Sequence, residues 1–325
     1  MSKISILVPI YGVEHYIERC ARSLFEQTYP DIEYVFVDDC SSDQSIAVLE
    51  KVMEDYPLRK PHVKIIHHER NKGLSAARNT ALEASAGDYV MHVDSDDYIE
   101  IDTVRLAVEL AEREQADMIV FDMNNVYPNR VIASSAKVST CKMAYLRNVV
   151  CRDSSPCVCG GLYLRKLYVD HAIRAIEGLN YGEDYVTKPR LIYYANKIVH
   201  LPVPLYNYVQ YNATSYTNCV SSKSIQDVLK AVNILDDFFR KVDKVGALYK
   251  DLSVDLKARN RVFLLEYCSK EDRAYVNGLF PEVNGLNIQM PLKHKIVWEF
   301  SRRRLSKLLN LYLSVSKYIK RKFYI

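Results

Sequence analysis

Short, nearly unbroken apolar runs alternate with helix-period segments from Ile4 to Asp122. Ile4–Ile10, Glu33–Val37, Val63–His67, Tyr89–Val93 and Met118–Asp122 read as strands. Between them Val13–Gln27, Gln44–Tyr56, Leu74–Ser85 and Ile101–Gln115 read as helices. The first carries Ile17, Cys20, Ala21, Leu24 and Phe25 at helical spacing. Strands that are apolar on both faces and separated by helices predict a mostly parallel, Rossmann-like sheet flanked by helices, an α/β fold. Ligands of such sheets bind beyond the carboxyl ends of the strands.

That rule selects a group of acids. Asp38 and Asp39 follow the second strand, and Asp94, Asp96 and Asp97 follow the fourth. Five carboxylates at one sheet edge repel one another, and a divalent cation is the simplest neutraliser. Asp43, Asp97 and Asp102 also fit helix N-caps. Asp94 and Asp96 precede no helix-periodic run. The chain has 10 glycines, and they form neither a G-x-G-x-x-G fingerprint nor a phosphate loop. Phosphate binding would then rest on a carboxylate-held metal rather than a glycine-rich cradle.

Beyond Asp122 the pattern changes. Val126–Ser139 is polar and reads as a loop or hairpin. Lys142–Val150 and Asp184–Ala195 read as helices, Cys157–Tyr168 as an apolar stretch rich in small residues. Ile198–Leu201 and the aromatic run Leu205–Tyr216 follow, then helices over Ser222–Tyr249 and Asp251–Cys268. Pro281 to Pro291 reads as a loop. Of 325 residues, 49% are hydrophobic and 26% charged, enough for a packed core. No apolar run approaches the ~20 residues of a membrane-spanning helix, and Met1–Gly12 lacks a signal-peptide pattern. The 8 cysteines are expected as free thiols in a reducing cytoplasm. Cys157 and Cys159 have no second pair at zinc spacing. His67 and His68 read as structural or surface residues.

Charge is uneven. The net charge is +4, but Leu292–Ile325 holds ten Lys and Arg against one acid, Glu299. This segment is +9 and the rest of the chain −5. Val297, Phe300, Leu305, Leu308, Leu309, Tyr312, Val315, Ile319 and Phe323 fall at spacings near three and four. Arg302, Arg303, Lys307, Lys317, Lys320 and Arg321 fall mostly between them. The pattern is a basic amphipathic helix, continuous or interrupted, suited to a membrane surface. The alternative is a helix packed on the protein's own body.

Several segments, in order, resemble the family 2 glycosyltransferases. S-I-L-V-P-I-Y-G at the start resembles the family's first strand, which ends P-x-Y-N, with Gly12 in place of Asn. Ser23–Asp43, S-L-F-E-Q-T-Y-P-D-I-E-Y-V-F-V-D-D-C-S-S-D, is similar to the family's segment ending V-D-D-G-S-x-D, with Cys40 in place of Gly. N-K-G-L-S-A-A-R-N (Asn71–Asn79), G-D-Y-V-M-H-V-D-S-D-D (Gly87–Asp97), Y-G-E-D (Tyr181–Asp184) and Leu205–Thr217 match the A-R-N, D-x-D, G-E-D and L-Y-x-Y segments. The resemblance covers roughly Ser2 to Thr217.

The resemblance implies a GT-A fold over 1–220, with a nucleotide-sugar half (1–100) and an acceptor half (101–220), and a helical region over 221–325. It implies Asp96 as direct ligand of Mn²⁺ or Mg²⁺ and Asp94 near ribose and metal, with Ser95 between them. Asp39 would accept a hydrogen bond from the base, often uracil, and Pro9 and Tyr11 would line the same pocket. Arg78 would face the pyrophosphate or pair with the carboxylate edge; an ordinary surface ion pair is the alternative. Asp184 matches the family's catalytic base, with Glu183 the competing assignment. One base and no protein nucleophile imply a single displacement with inversion.

The family's W-x-K is replaced here by Cys159-Gly160-Gly161. Two glycines could let a bulky acceptor approach, and Tyr206, Tyr208, Tyr211 and Tyr216 either stack on sugars or belong to the core. The implied function is metal-dependent transfer from a nucleotide sugar, UDP-linked by expectation. The acceptor would be a glycan or a lipid-diphosphate-linked oligosaccharide in capsule or O-antigen synthesis, at the inner membrane face. Alternatives are a polyprenyl-phosphate glycosyltransferase, whose members usually carry transmembrane helices, or an inactive nucleotide- or sugar-binding scaffold. Nucleic-acid binding by the tail is a weaker option. Donor sugar, linkage and oligomeric state are open.

Overall fold

The computed structural model describes residues 1–179, 181–212, 222–242 and 247–323, of which 247–249 and 317–323 are described by backbone alone. Thr214, Ser215, Tyr216 and Thr217 of the aromatic segment lie outside the described residues. The chain divides into two compact units: Met1–Val149 with Asp153–Ser215, and Val150–Arg152 with Tyr216–Ile325.

The first unit is α/β. Its strands are β1 (Ile4–Ile10), β2 (Ile32–Asp38), β3 (Val63–His67), β4 (Tyr89–His92), β5 (Tyr98–Ile99), β6 (Met118–Tyr127), β7 (Arg130–Ser134), β8 (Gly161–Leu164) and β9 (Ile198–Val209). Its helices are α1 (Ile17–Phe25), α2 (Ser45–Glu54), α3 (Leu74–Ala84), α4 (Thr103–Glu114), α5 (Lys142–Val150), α6 (Arg165–Asp170) and α7 (Glu183–Tyr194). Among the described residues the strands form one sheet ordered β3-β2-β1-β4-β8-β6-β9-β5, with β7 paired to β6. The β3-β2-β1-β4 part is parallel. Every residue of β1 and of β2 is buried, as their continuous apolar runs require. This sheet carries the expected GT-A type architecture.

Two elements differ from the sequence reading, and a third, the hairpin, is one of its two alternatives. The stretch from Cys157 to Tyr168 contains β8, antiparallel to both β4 and β6, and then α6. The polar segment after Val126 is a hairpin, β6 with β7. Ile198–Leu201 and the start of the aromatic run form one strand, β9, whose register shifts where Asp122 meets Pro204. That irregularity, with two prolines in the strand, breaks the alternation a sequence pattern looks for.

Two family substitutions have a backbone explanation. Gly12 has φ +66°, and nothing lies within 4 Å of where a Cβ would stand. Asn and Gly are the residues that take this conformation readily, so either serves. Cys40 sits at φ +62° where the family carries glycine. A left-handed cysteine costs about 1 kcal/mol relative to glycine. Cys40→Gly should therefore stabilise the protein by about that amount in urea unfolding; no gain would show that Cys40 is unstrained.

The second unit is helical: α8 (Ser222–Val242), α9 (Ala247–Tyr267), α10 (Arg273–Asn277), α11 (Leu292–Arg302) and α12 (Ser306–Phe323). α8 buries Ile225, Val228, Val232, Leu235 and Phe239 along one face. Trp298 of α11 is 1% exposed and lies under the Arg261 guanidinium, 4.3 Å from its ring centre. The basic tail is two helices, α11 and α12, broken at Arg304, whose φ is +57°. No helix among the described residues is long and apolar enough to cross a membrane. None of the seven described cysteines is in a disulfide.

Candidate active site

The carboxyl ends of β1, β2, β3 and β4 share one edge, and parallel register sets Asp38 of β2 beside His67 of β3. The acids at the end of β2 are hydrogen-bonded by the protein itself. Asp38 accepts the Ser41 N–H at 2.8 Å and lies 3.0 Å from His67 Nδ1. Asp39, 2% exposed, accepts the Lys72 and Gly73 N–H groups at 2.8 and 2.7 Å. His68 Nδ1 lies 2.7 Å from Asp39 Oδ1, and its Nε2 is 2.9 Å from Thr80 Oγ1. Asp39 is therefore a buried anchor joining β2, β3 and the entry to α3. A carboxylate has about four acceptor sites, and three here are taken. His67 and His68 form a matching pair to Asp38 and Asp39, which the strand register alone brings together.

Arg78 of α3 is the centre of the site. Its side chain is 5% exposed. Nη2 donates to Asp94 Oδ1 at 2.8 Å, and Nη1 donates to Glu183 Oε1 at 2.9 Å and to Asp184 Oδ1. One guanidinium thus ties the acid after β4 to two acids in the first turn of α7. Burial works against the Arg78 charge, but Asp184, Asp94 and Glu183 outweigh it and raise its pKa. Glu183 and Asp184 are both raised: burial is the larger cause, and each is further pushed up by a neighbouring carboxylate while Arg78 pulls it down. His92, beneath this cluster, is pushed down to about 3 by burial and by Arg78. It is neutral and pairs with the Tyr168 hydroxyl at 3.0 Å.

Asp184 is held on its other side too. Its Oδ2 accepts the Val158 N–H at 3.1 Å. One turn along α7, Lys188 donates to the carbonyls of Ser155 and Cys157 at 3.2 and 2.7 Å. Residues four apart share a helix face, so α7 grips the chain entering β8 with a carboxylate and an ammonium. Lys188 carries no motif and escapes a sequence reading.

The loop after β4 contains the other acids. Asp94 donates its N–H to the Tyr206 hydroxyl at 3.1 Å. Ser95 is buried at 6% exposure. Asp96 Oδ2 accepts from Asn212 Nδ2 at 2.8 Å, and burial with the Asp94 charge raises the Asp96 pKa. Arg19 of α1 braces this loop from behind. It donates to the Asp96 carbonyl at 3.3 Å and to the Tyr211 hydroxyl at 2.7 Å, and lies 4.4 Å over the Tyr98 ring. Asp97 is 1% exposed and accepts from Tyr206 Oη at 2.6 Å and the Val209 N–H at 2.8 Å.

Several expectations change accordingly. The five carboxylates are not one cation cage: all five have protein donors, but Asp38, Asp39 and Asp97 are buried, at 8%, 2% and 1% exposure, while Asp94 and Asp96 are half-buried. Asp97 and Asp102 do not cap helices through their side chains; Asp102 pairs with Thr28 and Arg105 instead. Asp43 does accept the Ser45 N–H at the start of α2. Gly160 and Gly161 are buried, and close packing against β6 accounts for glycine at both. A Cβ on Gly161 would stand 2.8 Å from the Ile119 carbonyl, and one on Gly160 3.2 Å from the Met123 sulfur. Tyr206 is core, while Tyr211 is 38% exposed. Pro9 is buried within β1 and Tyr11, just beyond it, is 53% exposed.

Asp94 and Asp96 remain as hard oxygen donors of the kind Mg²⁺ and Mn²⁺ take. No group of three or more His, Cys, Asp or Glu suited to a metal occurs among the described residues. Two carboxylates fit an ion that completes its shell with diphosphate oxygens and water.

The model for Glycosyl transferase family 2 matches residues 5–171. The chain belongs to this family. It is 29% identical over 290 residues to the poly(ribitol-phosphate) beta-N-acetylglucosaminyltransferase TarS of Staphylococcus aureus, covering 86% of this chain and 49% of TarS. The chain thus spans about half the length of that relative. It is 30% identical over 264 residues to the uncharacterized glycosyltransferase EpsJ of Bacillus subtilis, covering 77% of this chain and 74% of EpsJ. A crystal structure of S. aureus TarS in complex with UDP-GlcNAc superposes with a TM-score of 0.75 at 22% identity, covering 97% of this chain and 91% of that one. The likeness extends across the fold.

Proposed function

We propose that this family 2 chain transfers a sugar from a UDP-linked donor to a glycan hydroxyl, by single displacement with inversion. The observation that carries this reading is the Arg78 hub, which joins the D-x-D acid Asp94 to the G-E-D acids Glu183 and Asp184. Donor and acceptor chemistry thereby meet at one charged centre. The edge at Asp39, Pro9 and Tyr11 is assigned to the nucleoside.

Asp94 and Asp96 are assigned to hold Mn²⁺ or Mg²⁺, which when bound would supply Lewis-acid stabilisation to the departing diphosphate. Asp184 is assigned as the base that takes the acceptor hydroxyl's proton. Its side chain is 17% exposed against 11% for Glu183, the more open of the pair. A raised carboxylate pKa suits that task. Arg78 orients Asp184 and, as donor diphosphate arrives, offers it a buried positive charge. The relative that binds UDP-GlcNAc makes UDP-GlcNAc the first donor to try, and its name, a poly(ribitol-phosphate) glycosyltransferase, supports a hydroxyl-bearing polymer as acceptor class.

The test is calorimetric titration of UDP with and without Mn²⁺. This reading expects metal-dependent binding that Asp96→Ala weakens by about 100-fold, as loss of one of two protein ligands should. Absence of UDP binding under any metal would remove the UDP assignment, and binding indifferent to both metal and Asp96 would remove the metal site.

A further inference from the structure

Helix α12 carries one broad apolar arc, and only one side of it is used by the fold. Leu309 and Leu313 are 2% and 3% exposed, and the Tyr312 ring lies 6.2 Å from Phe300 of α11. Arg273 Nη1 donates to Asn310 Oδ1 at 3.0 Å, fixing the helix from α10. The other side is open: Leu308 is 48% exposed, Leu311 63% and Val315 48%. At about 100° per residue these three fall within a sector of about 60°. Leu305, 40% exposed, extends the apolar surface toward the break between α11 and α12.

A helix that only packs on its own body needs one apolar stripe and presents polar residues elsewhere. An exposed stripe that continues the arc beyond the packed side points to a partner. Arg303, Arg304 and Lys307 are exposed around it. The one acid between Leu292 and Ile325, Glu299, is already paired with Arg302 and Arg303 at 2.7 and 3.0 Å. With Arg302 and Arg303 sharing Glu299 and Lys293 paired to Glu266 at 3.2 Å, the segment of ten Lys and Arg still leaves the stripe in a net positive field. A nucleic acid would answer the charge and leave the leucines in water. A second copy would answer the leucines and bring the same +9 segment against its own kind. A surface of anionic lipid answers both.

We propose that α12 is an interfacial helix that docks on anionic membrane, with Leu308, Leu311 and Val315 entering the acyl boundary and the basic residues on the headgroups. No helix among the described residues spans a bilayer, so the contact is peripheral. The proposal is independent of the reaction assigned above.

The experiment is sedimentation of the full chain with phosphatidylcholine vesicles with and without phosphatidylglycerol. Binding should strengthen at least about tenfold with phosphatidylglycerol and fall at least about tenfold in the Leu308→Glu/Leu311→Glu double variant. These side chains are exposed, so its melting temperature should match wild type. Should that variant fail to fold, Val315→Asp reports on the same stripe. Four results would overturn the proposal: no vesicle binding, binding that ignores the leucine variants and disappears with salt, preferential retention on duplex DNA, or a self-association in sedimentation velocity that the leucine variants abolish.

Discussion

Arg78→Met lowers the unfolding free energy by about 3–5 kcal/mol. The guanidinium is the direct counter-charge to Asp94, Glu183 and Asp184, whose side chains are 29%, 11% and 17% exposed. Removing it leaves three largely buried carboxylates facing one another, the costly way to break a buried ion cluster. Arg78→Lys recovers only part, because one ammonium lacks the planar fork that reaches acids from two elements at once. Adding Glu183→Gln to Arg78→Met should restore part of the loss by deleting one unpaired charge. Urea unfolding of the three variants checks this. A loss below about 1 kcal/mol, the worth of a surface pair, would contradict the hub.

Asp184→Asn is expected to lower turnover by about 1,000-fold, within the 10²–10⁴ range of general-base catalysis. It should also raise the melting temperature. Three acids surround one arginine, so the cluster is over-supplied with negative charge. An amide at 184 keeps its one oxygen for the Val158 N–H, gives up the bond from Arg78, whose Nη1 still has Glu183, and sheds one charge. A gain of about 1 kcal/mol corresponds to ~2–4 °C in a domain of this size. The pH dependence agrees in sign. A carboxylate whose folded pKa is raised holds its proton more tightly when folded. Its contribution to stability is full below the unfolded value and is lost as pH rises through the folded one. Glu183 and Asp184 are both raised, chiefly by burial. The melting temperature of Asp184→Asn should therefore exceed wild type most on the alkaline side of that window.

Much of the fold was legible. β1 and β3 match their sequence bounds because apolar runs with sharp ends leave little freedom, and the acids at the sheet edge follow from strand order. What stayed hidden depends on contacts distant in sequence. β8 is four residues with a glycine, and its identity comes from pairing with β4 and β6. The pairing of Asp39 with His68 needs the β2–β3 register. Arg78 bridging to α7 joins residues 105 and 106 positions apart, which no local pattern encodes. Arg19, Asn212 and Lys188 carry no chemistry that a motif would flag, and act by holding carbonyls and carboxylates in place. The tail showed its amphipathic period in sequence, but not that the apolar arc of α12 has both a packed and an open side.

Turnover with a UDP-sugar donor, measured beside donor affinity in Asp184→Asn and Glu183→Gln, tests the central claim most directly. The account predicts that Asp184→Asn loses about 1,000-fold in kcat with donor Kd nearly unchanged, while Glu183→Gln stays within about tenfold of wild type. Equal losses from both, or full activity in Asp184→Asn, would contradict Asp184 as the base at the Arg78 centre.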